Sequence, residues 1–199
     1  MITYKTKKEE IEKLSFPCKC PACENPCRFG SGALVDGDLK KLSDNLGLTE
    51  KETKEKYLEE ITRFGTTLLK PKVMRKDLPY GKCIFFEEDK GCKVHDAKPT
   101  ECRIAMGCKD YGEEIITWFH LNYYLDTSKP ESVRQYKLYV ESGGKVLDGG
   151  ELHSIATTEQ LEKIERYVDI EESRKRDWEE VLGLKEAKNG KQAKDVHKR

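Results

Sequence analysis

Long apolar runs are missing from this sequence. Hydrophobic residues make up 36% and charged residues 37% of 199 positions, so the core must be lean. Nothing approaches the roughly 20 consecutive apolar residues of a membrane-spanning helix, so no membrane association is expected. The opening MITYKTKKEEIEKL has lysines but lacks the apolar stretch of a secretory leader, which predicts a cytoplasmic protein. Neither sign of charge dominates: Lys plus Arg and Asp plus Glu are 37 each, and a net charge of +0 removes any whole-chain argument for a nucleic-acid or membrane partner. Histidine is scarce as well. Of the four, His120, His153 and His197 lack ligand spacing and read as structural or exposed. No internal repeat is present.

What the chain has in excess is cysteine. The total is eight: Cys18, Cys20, Cys23, Cys27, Cys83, Cys92, Cys102 and Cys108. An even number permits either disulfides or two sets of metal ligands. Disulfides do not persist in a reducing compartment, so the thiols read as ligands. In CKCPACENPCR, Cys20 and Cys23 form a CxxC pair flanked by Cys18 and Cys27, and such short turns bring sulfurs within reach of one ion. Soft thiolates select zinc or the iron of an iron–sulfur cluster over magnesium or calcium. Spacing alone does not choose between them.

The remaining elements follow from periodicity and caps. Residues 4–14 predict a short helix on Ile11 and Leu14, and the Cys, Pro and Gly of 18–32 predict irregular chain. DGDLKKLSDNLG predicts a helix capped by Asp36 and stopped by Gly47. LTEKETKEKYLEEI predicts another, with Thr49 and Glu52 at capping-box spacing and Tyr57, Leu58 and Ile61 as its buried stripe. Residues 63–77 read as short strands. CIFFEEDKGCKVH reads as a hairpin with loop 87–90, which sets Cys92 opposite Phe85 and on the face of Cys83. Pro99 suits the first turn of a helix carrying Cys102. EEIITWFHLNYYLD is rich in β-branched and aromatic residues and reads as a strand, with a helix as the alternative. KPESVRQYKLYVESGG and the segment from Thr157 predict helices, the second with Thr157 and Gln160 as its capping box. KVLDGG, 145–150, lacks the buried strand and following helix that a nucleoside-binding glycine loop requires.

The cysteine arrangement resembles the zinc- or iron-chelating (YkgJ-like) cysteine-cluster family, whose pattern is CxxCxxCC, a spacer, C-x-F-L, C-x-[IV]-[YH] and [RK]-P-x-x-C-R. Cys83, Cys92, Lys98, Pro99, Cys102 and Arg103 match its second half, and Cys27 with Arg28 matches the end of its first. His95 falls at the aromatic-or-histidine position of that pattern. Here the first half is spaced CxCxxCxxxC, without an adjacent cysteine pair. The resemblance covers about half the chain and implies metal binding. Some relatives resemble flagellin lysine N-methylases and are associated with an iron–sulfur cluster.

Together these observations predict an α+β protein. Residues 1–127 form a small metal-stapled cysteine-cluster domain with helices and a β-hairpin, 128–184 a mainly helical extension, and 185–199 a basic flexible tail. All eight cysteines are expected to hold Zn²⁺ or an iron–sulfur cluster of the [4Fe–4S] type. Arg28 and Arg103, each following a ligand, are expected beside the sulfurs to offset thiolate charge. The tail offers a contact for a protein or RNA partner, and no small-molecule substrate is evident. The favoured function is an interaction module acting on another macromolecule. The alternative is an iron–sulfur-dependent protein-modifying or redox enzyme.

Overall fold

The computed structural model describes residues 1–16, 18–162 and 164. The fold is α+β, with short helices around three two-stranded antiparallel ribbons. No helix among the described residues is long and apolar enough to cross a membrane. The basic tail, 185–199, and most of the helix expected beyond Thr157 lie outside the described residues.

Helix α1 (Lys8–Leu14) buries Ile11 completely. Cys20 leads into α2 (Pro21–Glu24), followed by a 3₁₀ turn, Asn25–Arg28. This segment was expected to be irregular. Pro21 at the first position of α2 and Pro26 at the second of the 3₁₀ turn supply a helical φ where no amide donor is needed, so the cysteine loop coils. Helix α3 (Asp38–Leu46) begins at Gly37, and the Asp36 side chain does not cap it. Asp38 instead accepts from the Val35 N–H, while Gly47 closes the helix in the left-handed conformation, as expected.

Helix α4 (Glu50–Tyr57) carries the Thr49–Glu52 capping box in full. It ends earlier than its periodicity suggested, because Leu58 and Ile61 belong to β1 (Leu58–Arg63). That strand pairs with β2 (Thr66–Pro71) through a two-residue turn, Phe64–Gly65, with both φ angles positive. Such a turn matches the natural twist of a hairpin and favours pairing over continuation of the helix.

Strand β3 (Val73–Met74) pairs with β4 (Lys82–Cys83), and β5 (Phe86–Glu87) with β6 (Gly91–Cys92). The expected hairpin is therefore corrected. Cys92 lies opposite Phe86 and not Phe85, because the loop shortens to the 3₁₀ turn Glu88–Lys90, and Cys83 pairs with Val73 of a different ribbon. Pro99 is the N-cap of α5 (Thr100–Ile104), which carries Cys102.

The aromatic segment read as a strand is helical: α6 (Gly112–Phe119) runs into a π turn, His120–Tyr124. Ile115, Trp118, Phe119 and Leu121 are buried there, and packing at helical spacing overrides the β preference of the individual residues. Helix α7 (Pro130–Glu141) and the short α8 (Leu152–Ile155) follow. Thr157 and Gln160 exchange the expected hydrogen bonds.

Among the described residues two main apolar cores form, with a small third one around Val133, Ala156 and Ile164. The larger joins Ile11, Ile104, Trp118 and Phe119 to Tyr136 of α7 and Leu147, so residues on both sides of position 127 contribute. The smaller gathers Leu42, Leu58, Cys83, Phe85, Phe86 and Val94. The cysteines lie where α2, the short ribbons and α5 meet.

Candidate metal centre

The eight thiols fall into two groups. Cys18, Cys20, Cys23 and Cys108 form the outer one, with all four sulfurs within 4.8 Å of one another. Cys108 Sγ lies 3.5 Å from Cys23 Sγ and 3.9 Å from Cys18 Sγ. These separations far exceed the roughly 2.05 Å of a disulfide. They suit one ion. Four sulfurs at about 2.3 Å from a tetrahedral centre stand about 3.8 Å apart.

Local structure explains the convergence. Cys20 caps α2, so its carbonyl accepts from the backbone N–H groups of Cys23 and Glu24, and the turn folds the two side chains to one side. The fourth ligand arrives from the turn after α5. A Cβ on Gly107 would lie 2.5 Å from the Ala22 carbonyl oxygen, so only glycine lets this turn press against α2 and present Cys108.

Electrostatics within the group are uneven. The Cys23 N–H and the Cys18 thiol stabilise the Cys20 thiolate and bring its pKa down to about 7. Burial pushes Cys23 up to about 12. A metal ion displaces such protons on binding, so occupancy depends on pH.

The inner group comprises Cys27, Cys83, Cys92 and Cys102, which line one cavity of about 380 Å³ together with Phe29, Pro71, Phe85 and Ile116. Burial raises all four thiols: Cys83 to about 12, Cys102 well above the usual range, and Cys27 and Cys92 in the same direction. A backbone N–H reaches one of these sulfurs directly: Gly32 donates to Cys102 Sγ at 3.2 Å. The backbone at Phe85 and at Val94 partly offsets the effect of burial on Cys83 and Cys92.

The arginines expected beside sulfur also have other partners, while Arg28, like Lys98, acts to lower the Cys27 thiol and Arg103 lines a cavity with Cys18, Cys23 and Cys102. Arg28 pairs with Glu88 at 2.9 Å and stacks over Phe86. Arg103 donates to the Thr100 hydroxyl at 2.6 Å and lies 3.7 Å from Asp38. Lys98, a motif residue not assigned this role from sequence, acts on the Cys27 and Cys92 thiols and makes no ion pair among the described residues. His95 lies near both groups. It shares a cavity of about 250 Å³ with Cys18, Cys23, Lys98, Cys102 and Arg103, and its buried Nε2 lacks a hydrogen-bond partner among the described residues. Gly32 was not singled out either, and no pattern in the sequence marks it.

KVLDGG forms a loop tied to the amino terminus by the parallel bridge of Thr3 with Asp148. No strand among the described residues leads into it.

A tight tetrathiolate group and a cysteine-rich cavity define a thiolate metal-binding protein. Residues 19–121 match the family model CxxCxxCC, described as "Putative zinc- or iron-chelating domain", and the chain belongs to that family. Comparison with curated proteins found no match, nor did comparison with solved structures.

Proposed function

We propose that the chain is a metal-stapled interaction module in which Cys18, Cys20, Cys23 and Cys108 hold a single zinc ion. The observation that carries this reading is the spacing of the four sulfurs, all within 4.8 Å. A closed four-thiolate shell leaves no open position for a substrate, so the ion's work is structural. It ties the amino-terminal loop to the turn after α5.

The module's contact surface is apolar. Phe29, Met74, Leu78 and Tyr80 are each about half exposed, between 47% and 54%. Phe29 and Tyr80 meet edge to face at 6.1 Å, and the Gly81 N–H donates to the Phe29 carbonyl, so the patch is held together. Lys76 and Lys82 flank it, which favours a protein partner with an apolar centre and an acidic rim. A contact through the basic tail with protein or RNA would add to this surface.

The enzyme reading has one specific support, the 250 Å³ cavity that borders both cysteine groups and is lined by His95, whose buried Nε2 has no hydrogen-bond partner among the described residues. Elemental analysis of anaerobically purified chain tests the favoured reading. Zinc should be present and should be lost in Cys108→Ser with a fall in melting temperature. Full zinc occupancy in Cys108→Ser would overturn it.

A further inference from the structure

We propose that the cavity between the β1–β2 turn, α6 and α7 binds a small aromatic monocarboxylate, with the Arg63 guanidinium receiving the carboxylate. None of the eight cysteines lines this cavity, so the site does not depend on the zinc reading.

The cavity measures about 470 Å³. Phe64, Ile116 and Tyr139 form its apolar wall, each half-buried against the larger core. Space of this size, with apolar walls and a few polar groups, is the usual form of a small-molecule site.

The polar end is set by a conflict over one proton. His120 Nε2 lies 3.0 Å from Arg63 Nη1 and 3.3 Å from Glu101 Oε1. One ring nitrogen cannot serve both, because Arg63 needs its lone pair and Glu101 needs its proton. Burial decides the contest. The Glu101 side chain is only 12% exposed, and a buried carboxylate deprived of a donor costs far more than an exposed guanidinium left to water, so the proton faces Glu101. Arg63 is then left with five N–H donors and no ion-pair partner among the described residues. The Tyr124 ring, 5.8 Å from the guanidinium, supports it. A planar fork of free donors matches a carboxylate in shape and charge.

Phe64 is an independent sign. It takes the first place of the two-residue turn with φ +45°, where asparagine or glycine is favoured and a bulky side chain is strained. Strain of this kind collects at ligand sites. The Phe64 ring meets Tyr136 and Tyr139 edge to face at 5.5 and 5.7 Å, so the wall is aromatic and favours an aromatic guest. Glu113 narrows the choice further. It lines the cavity about 10 Å along the helix from His120, and its carboxylate repels a second anionic group there. Thr117 donates to the Glu113 carbonyl, while Gln135 accepts from the Gly65 N–H and donates to Glu131. Arg63 is thus the donor left for the guest.

The test titrates phenylacetate into the full chain, purified anaerobically, and follows amide NMR signals. Saturable binding at about 1 mM or tighter is expected, with shifts confined to the β1–β2 turn, α6 and α7. Benzylamine, the same ring with a cationic head, should not bind, and para-phenylenediacetate should bind about tenfold more weakly than phenylacetate. Arg63→Gln should weaken phenylacetate about tenfold or more at unchanged metal content and melting temperature, and Arg63→Lys should fall between. No saturation by about 10 mM, equal binding of benzylamine, or parent-level affinity in Arg63→Gln would overturn the proposal, as would shifts centred on Phe29 and Tyr80. Equal binding of para-phenylenediacetate would overturn the restriction to one carboxylate. Should Arg63→Gln melt early, the benzylamine comparison and the shift map of the parent decide the matter.

Discussion

The Asp38 carboxylate accepts hydrogen bonds from both the backbone N–H of Thr100, at 2.6 Å, and its hydroxyl, at 3.0 Å. Asp38 starts α3 and Thr100 starts α5, so one buried side chain fixes the helix that carries Cys102. The same carboxylate accepts from the Val35 N–H at 3.0 Å. Asp38→Ala strips three donors of their partner in a site only 2% exposed. A loss of about 2–3 kcal/mol is expected, with reduced metal content. Chemical denaturation and elemental analysis of the same preparation check it.

Gly32→Ala places a methyl group against Cys102 Sγ and N and Glu101 Cβ, all within 2.9 Å. Overpacking of this kind costs about 1–3 kcal/mol. Stability should fall by that amount, as read from the denaturation midpoint. An unchanged midpoint in Gly32→Ala would show that the backbone here can retreat.

Glu101 sets a pH dependence. Burial works to raise its carboxyl, but His120, whose Nε2 lies 3.3 Å away, and the Ala33 N–H at 2.6 Å outweigh it and hold the group below its ordinary value of 4.5. A depressed carboxyl stabilises the fold above its unfolded pKa, and that contribution disappears as pH falls through the folded value. Glu101→Gln should cost about 1–3 kcal/mol near neutrality. The gap between parent and variant should narrow below pH 4.5. Melting curves of both proteins from acid to neutral pH measure it, and a gap that widens toward acid would contradict the assignment.

Tyr124 gives the opposite expectation. Its ring is fully buried, its hydroxyl lacks a hydrogen-bond partner among the described residues, and burial raises its pKa. Removing an unsatisfied buried hydroxyl relieves a desolvation cost. Tyr124→Phe should leave stability unchanged or raise it by about 1 kcal/mol, as read from the denaturation midpoint.

The apolar patch separates docking from folding. Phe29→Ser with Tyr80→Ser should change stability by less than about 1 kcal/mol, because both rings are about half exposed. Crosslinking in cells should lose the protein partner while metal content stays at the parent level. Retention of the partner by the double variant would move the contact elsewhere.

Local patterns were legible where local physics decides. The Thr49–Glu52 box, the Gly47 stop and the metal-ligand role of closely spaced cysteines are all written within a few residues. Assignment of Cys108 to the amino-terminal trio was not. It rests on contacts spanning 85 and 90 residues and on the close approach of Gly107 to Ala22. Trp118 and Phe119 misled for a related reason: their β preference is intrinsic, but the faces they bury are set by Ile11 and Tyr136, which sequence spacing does not bring near. The hairpin register slipped by one because the 3₁₀ turn Glu88–Lys90 shortens the loop, and a slip of one residue exchanges faces.

The outer thiols bracket the inner ones along the chain, and this nesting orders events during synthesis. Cys23 is made 85 residues before Cys108. At about 5–20 residues per second, the first three outer thiols wait roughly 4 to 17 s for their fourth. Cys27, Cys83, Cys92 and Cys102 are all made within that interval. The inner set is therefore complete before the outer one can close, and the last cysteine to leave the ribosome seals a loop whose contents are already in place.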